Sequence, residues 1–198
     1  MIGMTKQEKF INLIKDGAIQ GWQDYKILPS LTIAQAILET GWGGSSVGNN
    51  LFGIKANKDW QGKTILKETH EYVNGKKIYI DAYFRDYENI YESLKDRFEF
   101  LQKPRYKKVI GVEDYKIACN EIWKAGYATD PQYPNKLIRI IEQYNLNEYD
   151  KEAIKPRGQA THRVRVNGVQ IGAFRDTKNI LEAVENNLGK KIIEVEKI

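Results

Sequence analysis

The pattern of apolar and polar positions predicts a mainly helical chain that is interrupted by one β-hairpin. A capping box, in which Thr5 precedes Glu8 by three positions, begins the first predicted helix. Ser30 and Gly41 are the expected N-cap and stop signal of a second helix over residues 31–40. Apolar residues recur at helical spacing in three later segments. These segments are 88–102, 113–124 and 135–144.

The hairpin is predicted from two strand-like runs that flank an Asn-Gly dipeptide. The runs cover residues 64–73 and 76–84, and Asn74-Gly75 between them is typical of a two-residue type I′ turn. In that register the numbers of two paired residues sum to 149.

The predicted register puts Glu71 and Glu68 on opposite faces of the hairpin. Glu71 then pairs with Ile78, and Glu68 pairs with Asp81. The face of Glu71 carries Ile65, Thr69, Val73, Ile80, Ala82 and Phe84, and the face of Glu68 carries His70, Tyr79 and Tyr83. A carboxylate on the packed face is costly unless it borders a wet groove, so Glu71 is the stronger candidate for chemistry. A register slip of one residue would reverse this choice.

The periodic pattern ends near residue 150, and the remaining chain predicts a second, smaller part. Another Asn-Gly pair, Asn167-Gly168, lies between two short strand-like runs. The predicted elements there are strands at 163–166, 169–172 and 191–195 and a helix at 177–188. We therefore predict a main domain at 1–149, a linker at 150–161 and a ββαβ module at 162–198. So small a module buries little surface and is expected to dock on the main domain or on a second copy of itself.

Composition excludes several classes of protein. Of the 198 residues, 41% are hydrophobic and 29% are charged, which excludes global disorder. No apolar run approaches the ~20 residues of a membrane span, so membrane insertion is not expected. The lone Cys119 excludes an intramolecular disulfide and a cysteine-based zinc site. No metal-ligand motif surrounds His70 or His162, and neither a metal nor a cofactor is expected.

The positive charge is concentrated in the last quarter of the chain. Residues 1–150 hold 21 basic and 20 acidic side chains, whereas residues 151–198 hold 10 basic and 6 acidic ones, out of a net +5. The tail is therefore expected to contact something anionic, such as nucleic acid, a lipid surface or cell-wall polymer, unless its charge serves solubility alone. The near-neutral main domain argues against a nucleic-acid binder.

Glu39 is the first candidate for chemistry. It is the only acidic residue between Asp24 and Asp59, and it lies at the end of an apolar helix. The negative end of the helix dipole and poor solvation both disfavour its carboxylate, which raises the pKa towards that of a general acid. The glycines and aromatic residues of segment 41–62 predict a loop that lines a cleft beside it.

Four segments together resemble one family of enzymes. They are 34–43 around Glu39, 49–55, the hairpin pieces 69–75 and 84–87, and 126–131 with Tyr133. In order and spacing over residues 5–147 they resemble the family 73 glycoside hydrolases, the glucosaminidase domain of bacterial autolysins and phage lysins. The resemblance implies an α+β, lysozyme-like fold, in which a helical lobe and a small β-hairpin lobe enclose a saccharide groove.

The resemblance also implies an activity and a site. The activity is that of an endo-β-N-acetylglucosaminidase, which hydrolyses the β-1,4 bond after N-acetylglucosamine in the glycan strands of peptidoglycan. Glu39 matches the general acid, Glu71 the second carboxylate, and Tyr127 and Tyr133 the active-site tyrosines. The same segments supply the other expected substrate-binding residues, Gln35, Trp42, Asn50, Phe52 and Asp130. Retaining, inverting and substrate-assisted mechanisms all stay open.

The sequence also bears on where the protein acts, on whether it is catalytic and on the role of its C-terminal module. No signal-peptide pattern is visible, which favours a phage endolysin that is made in the host cytoplasm and acts on the wall after release. The alternatives are an extracellular autolysin of the same family and a non-catalytic peptidoglycan-binding protein. Residues 170–174 and the helix after them resemble half of a sporulation-related repeat domain, which implies glycan binding; a homodimer through the module is the other possibility.

Overall fold

The computed structural model describes residues 3–73, 76–155, 162–167, 169–174, 177–185, 189 and 192–197. The chain divides into two compact units, Met1–Ile154 and Lys155–Ile198. The described residues of the first unit form six α-helices and a hairpin, and those of the second form a small sheet with one helix, so the predicted α+β class is confirmed. In the part of the chain that the structure describes, no helix is long and apolar enough to cross a membrane.

The five helices predicted for the first unit are confirmed, with ends shifted by one or two residues. The Thr5–Glu8 capping box forms as expected, and Asn89 and Asp114 cap two further helices. The helices are α1 Lys6–Tyr25, α2 Pro29–Thr40, α3 Ile90–Phe100, α4 Tyr115–Lys124, α5 Tyr133–Gln143 and the unpredicted α6 Asn147–Ile154, with a 3₁₀ turn at Pro104–Tyr106.

Helix α2 forms the centre of the first unit. Its residues from Pro29 to Ile37 are all buried, and α1, α4, α5 and α6 pack around it. Helix α3 packs against α1, where the ring of Phe98 lies so close to Gly21 that a Cβ there would overlap it. The continuous apolar sequence of α2 thus forms a helix that is buried nearly all round.

The start of α2 corrects two predictions. Ser30 is not the N-cap: Leu28 holds that position, and the backbone N–H of Ser30 donates to Asp150 Oδ1 at 2.8 Å. The predicted linker does not begin at Asp150, because residues 147–154 form α6, in which Asp150 and Ala153 are buried. So short a helix, with only two buried positions, leaves no readable periodicity in the sequence.

The hairpin has the predicted register. Strands β1 Thr64–Val73 and β2 Lys76–Arg85 are antiparallel, and Glu71 pairs with Ile78. The described residues of the predicted apolar face are mostly half-buried or buried, whereas Glu68 and its neighbours on the other face are exposed. The turn residues Asn74 and Gly75 lie outside the described residues.

The base of the hairpin is hydrogen-bonded to the loop that follows α2. The N–H of Ala56 donates to the carbonyl of Tyr83 at 2.8 Å, and the N–H of Arg85 donates to the carbonyl of Ile54 at 3.0 Å. The buried amide of Asn50 donates to the carbonyls of Ile54 and Arg85, both at 2.9 Å. These bonds fasten the hairpin beside the C-terminal end of α2.

The second unit has the predicted ββαβ order. Strands β3 His162–Val166, β4 Val169–Phe174 and β5 Ile193–Lys197 form an antiparallel sheet in the order β4-β3-β5, and helix α7 covers Thr177–Glu185. Arg165 and Glu196 form an ion pair at 2.7 Å across the sheet. The predicted turn residue Gly168 lies outside the described residues.

Candidate active site

The backbone after α2 turns sharply and leaves Glu39 at the edge of the helix. Gly41 adopts a left-handed conformation (φ 54°), and its N–H donates to the carbonyl of Ile37 at 2.9 Å. The next residue, Trp42, also has a positive φ of 66°, which is costly for a bulky side chain. Its ring packs on Phe10 and Tyr144, with centroids 6.1 and 4.7 Å away, and these contacts hold the turn.

Two cavities meet at Glu39. The smaller, of about 140 Å³, lies towards the hairpin, and the larger, of about 470 Å³, lies towards the loop after α3. Glu39 and Gly53 line both. The carboxyl therefore lies midway along a cleft that extends on both sides of it.

The surroundings of Glu39 favour the protonated form of its carboxyl. The hydroxyl of Tyr133 donates to Glu39 Oε1 at 3.0 Å. The side chain is open to the cleft, but protein atoms crowd it on its other sides, and this burial raises the pKa of Glu39 above the usual value. The hydrogen bond from Tyr133 and the positive charge of Arg97 oppose the rise without cancelling it.

A buried hydrogen-bond chain supports Tyr133. Arg97, which is fully buried, donates from Nη2 to Gln35 Oε1 and from Nη1 to Thr32 Oγ1 at 3.2 Å. Gln35 Nε2 in turn donates to the hydroxyl oxygen of Tyr133 at 2.9 Å. The chain from Arg97 through Gln35 and Tyr133 thus ends on the Glu39 carboxyl.

Sequence reasoning missed Arg97, although one signal was available. Arg97 follows Leu94 by three residues and precedes Phe98, so it falls on the apolar side of α3. A charge on the buried face of a helix is expensive unless it is paired or hydrogen-bonded. The guanidinium lies 4.9 Å from the ring centre of Phe52, which is a further favourable contact.

The two predicted tyrosines lie together beside Glu39. The rings of Tyr127 and Tyr133 are stacked with centroids 6.0 Å apart, and Tyr106 meets Tyr127 edge-on at 6.3 Å. Burial raises the pKa of both Tyr127 and Tyr133 well above the usual value for a phenol. Both hydroxyls therefore stay protonated at neutral pH and can donate hydrogen bonds.

The side chains of three predicted substrate-binding residues are buried or hydrogen-bonded within the protein. Gln35 is fully buried in the chain described above. Asn50 lines the smaller cavity, but its amide groups bond to the backbone of residues 52, 54 and 85. Phe52 lines the larger cavity with a ring that is 5% exposed. Asn50 and Phe52 therefore shape the walls of the cleft, whereas Gln35 lines neither cavity.

Trp42 and Asp130 do not line either cavity. Trp42 packs in the turn after α2, as described above. Asp130 accepts from the N–H of Gln132 at 2.8 Å and forms an ion pair with Lys136 at 2.6 Å, which lowers its pKa. The structure gives Asp130 the role of a loop cap in front of α5.

The hairpin contributes one described carboxyl to the cleft. Glu68 lines the smaller cavity together with Lys67 and Thr69. Glu71 follows Thr69 by two positions on the same face of the hairpin, and the side chain of Glu71 lies outside the described part. Among the described residues, no group of three His, Cys, Asp or Glu side chains could hold a metal ion.

The sequence matches the pattern of a known protein family. Residues 15–146 match the glucosaminidase family, described as mannosyl-glycoprotein endo-beta-N-acetylglucosaminidase. The chain is 40% identical over 157 residues to the exo-glucosaminidase LytG of Bacillus subtilis, which covers 75% of this chain and 55% of that protein. It is 39% identical over 152 residues to the peptidoglycan hydrolase FlgJ of Vibrio cholerae, which covers 71% of this chain and 45% of that protein.

Solved structures agree with this match. The catalytic domain of the autolysin Auto from Listeria monocytogenes has a TM-score of 0.66 and 35% identity, over 75% of this chain and 90% of that one. The chain spans about half the length of the curated relatives that it matches. The similarity in sequence covers the unit that holds Glu39 and the cleft, and the fold agrees over the same part. The chain belongs to the glucosaminidase family.

Proposed function

We propose that this chain hydrolyses the β-1,4 glycosidic bond after N-acetylglucosamine in the glycan strands of bacterial peptidoglycan, with Glu39 as the general acid. One observation carries the proposal: a carboxyl with a raised pKa lies midway along a cleft, held by a tyrosine hydroxyl. The peptidoglycan substrate is that of the related hydrolase FlgJ. Membership of the glucosaminidase family supports the same class of reaction, the hydrolysis of a glycosidic bond.

The hydrogen bond from Tyr133 determines which oxygen of Glu39 carries the acid proton. Because Oε1 accepts from Tyr133, the transferable proton belongs on Oε2. When a glycan lies in the cleft, Oε2 protonates the oxygen of the leaving sugar as the bond breaks. The buried chain from Arg97 holds Tyr133, so the carboxyl keeps one orientation.

The second carboxyl of the reaction is proposed to be Glu71, with Glu68 as the alternative. Glu71 lies on the packed face of the hairpin, whereas Glu68 already lines the cavity nearest to Glu39. A separation of ~5–5.5 Å between the two carboxyls gives retention through a covalent intermediate, and ~6.5–9.5 Å gives inversion through water. The N-acetyl oxygen of the substrate is the third possible nucleophile.

The cleft favours cleavage within a strand. Cavities lie on both sides of Glu39, so sugars can bind before and after the broken bond. LytG, in contrast, carries the name of an exo-enzyme. We therefore propose an endo mode of cleavage for this chain.

Product analysis by mass spectrometry tests the proposed reaction. Purified peptidoglycan is digested with the wild-type protein, the products are reduced, and the sugar at each new reducing end is identified. N-acetylglucosamine ends on long fragments support the proposal, and single sugars released from chain ends would indicate an exo mode. Muramic acid ends, or release of peptides alone, would overturn the assigned bond. Glu39→Gln is the inactive control, and Glu113→Gln, an exposed glutamate on another loop, is the matched active one.

The second unit is proposed to bind cell wall without taking part in the reaction. It holds most of the net positive charge, and every residue named above in the cleft precedes it. Truncation after Lys155 is the appropriate test, because truncation at Asp150 would remove the partner of Ser30. Cleavage of soluble glycan fragments is expected to persist while lysis of whole walls falls, most of all at low salt. Loss of both in a folded protein would contradict this role.

Two further aspects stay predictions. Dimerisation through the second unit is the rival role for that unit, and sedimentation of the full-length and truncated proteins tests it. The phage endolysin and the bacterial autolysin both fit the family, and the relatives named above are bacterial proteins. In either case the proposed place of action is the cell wall.

A further inference from the structure

The two cavities beside Glu39 differ in charge. The smaller one is lined by side chains of both signs, which are Lys67, Glu39 and Glu68. The larger one has four basic side chains in its lining and Glu39 as its one carboxyl. These basic residues are Lys55, Arg85, Lys103 and Arg105. The cleft is therefore electropositive on the side of the larger cavity.

Lys103 and Arg105 carry the uncompensated part of this charge. Arg85 is paired with Asp96 at 2.6 Å and is largely neutralised. In the part of the chain that the structure describes, no carboxylate lies within ion-pair distance of Lys103 or Arg105, and both side chains are exposed. A cation that faces a cleft without a protein counterion is available to an anionic ligand.

Aromatic rings hold these two cations at the wall of the larger cavity. The Nζ atom of Lys103 lies 4.2 Å from the ring centre of Phe100, and the Arg105 guanidinium lies 4.5 Å from that of Tyr106. Arg105 also donates a hydrogen bond to the hydroxyl of Tyr106. Phe100, Tyr106, Lys103 and Arg105 all line the cavity that contains Glu39 and Tyr127. The charges are therefore ordered towards the same space as the acid.

We propose that Lys103 and Arg105 bind the carboxylate of a muramic acid residue, on its lactyl group or on the peptide attached to it. This inference rests on the proposed function. N-acetylglucosamine is neutral, whereas every second sugar of the peptidoglycan strand carries a carboxylate-bearing substituent. A cleft that needed only neutral sugars would gain nothing from two unpaired cations. The pair thus selects peptidoglycan over an uncharged polymer of N-acetylglucosamine.

Binding by the inactive Glu39→Gln protein tests the proposal. Calorimetry compares three soluble ligands of equal glycan length: peptide-bearing strands, the same strands with the peptides removed, and an N-acetylglucosamine oligomer. The variant Lys103→Gln with Arg105→Gln is compared with Lys107→Gln with Lys108→Gln, which removes the same charge from exposed residues outside the cavity. We expect the first pair to weaken binding of the carboxylate ligands ~10-fold or more and binding of the neutral oligomer less than ~2-fold.

The outcomes separate the sources of the carboxylate. The lactyl carboxyl is an amide in the peptide-bearing strands and becomes a free carboxylate when the peptides are removed. If the loss is seen only with the peptide-bearing strands, the peptide carboxylate is the ligand; if it is seen only after the peptides are removed, the lactyl carboxylate is. A loss with both ligands shows that the pair binds either carboxylate. Equal losses for the neutral oligomer, or equal losses from the Lys107–Lys108 control, overturn the proposal. Arg105→Lys, which keeps the charge, is expected to retain most of the affinity, and unchanged thermal unfolding excludes a packing defect at Tyr106.

Failure of this proposal differs from failure of the proposed function. If the wild-type protein releases N-acetylglucosamine ends but the variants bind all ligands alike, only the role of Lys103 and Arg105 is wrong. If no ligand binds and no glycan is cleaved, the substrate itself is wrong.

Discussion

The two ends of helix α2 each meet a carboxyl whose pKa is raised, and yet only one of them has access to a ligand. At the N-terminal end, burial raises the pKa of Asp150 from 3.8 to about 6, while Ser30 holds the carboxyl in place. At the C-terminal end, burial raises the pKa of Glu39, and the carboxyl opens into the cleft. Asp150 is 4% exposed and lines neither of the two cavities. A perturbed pKa therefore identifies a catalytic acid only when it is joined to access.

At the N-terminal end of α2, burial and the helix dipole act on the pKa of Asp150 in opposite directions. The positive N-terminus of a helix stabilises a nearby carboxylate by ~0.3–1 kcal/mol, which should lower the pKa of Asp150. A rise of about two pKa units corresponds to ~3 kcal/mol in the opposite direction. Burial therefore outweighs the helix dipole at this end. At the Glu39 end both effects act in the same direction.

The largest expected effect is the loss of activity when Glu39 is changed to Gln. The amide keeps the shape and can accept from Tyr133, but it cannot protonate the leaving oxygen, so turnover should fall ~10²–10⁴-fold. The parallel variant Asp150→Asn should stay within about 2-fold of wild type, because the carboxyl at that end has no role in the reaction. Rates of glycan cleavage by both folded variants provide the measurement. Equal losses of turnover in the two variants would contradict a role in the reaction for Glu39 that Asp150 lacks.

A smaller effect is expected from Arg97→Lys, which keeps the charge but loses the two-branched hydrogen bonding to Thr32 and Gln35. Tyr133 then loses part of its support, and we expect kcat to fall ~10-fold with KM nearly unchanged. Arg97→Met also removes the positive charge that lowers the pKa of Glu39, so the alkaline limb of the pH–rate profile should move to higher pH. Arg139→Lys, on an exposed part of α5, is the control. An unmoved profile in Arg97→Met would contradict the coupling.

The smallest effect on activity, but a measurable one on stability, is expected from Asp150→Asn. The folded pKa of about 6 lies above the unfolded value near 3.8, so the folded state binds this proton more tightly and loses stability as the pH rises between these values. Asparagine can still accept from Ser30 and carries no charge. It should therefore raise the free energy of unfolding by ~1–3 kcal/mol at pH 7.5 and have little effect at pH 3.5. Urea titrations at the two pH values measure the difference, with Glu113→Gln as the control variant. A destabilised Asp150→Asn at pH 7.5 would mean that the charged form is the favoured partner of Ser30.

Much of the fold and one end of α2 could be predicted from local sequence. Glu39 stood out because it is an isolated acid at the end of an apolar run, and Asn74-Gly75 determined the register of the hairpin. Arg97 and Asp150 could not be placed in this way, because their partners Gln35 and Ser30 are 62 and 120 positions away. Buried charges are satisfied by tertiary contacts, and no local period encodes such a partner. The packing of Trp42 on Tyr144 is likewise invisible in the sequence.

The hairpin is hydrogen-bonded at its base to the loop after α2, so a small rotation there would displace the residues further along both strands. The hydrogen bonds that join it to the loop after α2 end near Tyr83 and Arg85, and Ile65 pairs with Phe84 at that level. At ~3.3 Å per residue, Glu71 lies about 20 Å further out, so a rotation of about 10° at the base shifts its backbone by about 3.5 Å. This shift is as large as the difference between the carboxyl separations of the two stereochemical outcomes. If Glu71 is the second carboxyl, as proposed above, the hydrogen bonds of Asn50 at the base of the hairpin would therefore influence which anomer is released.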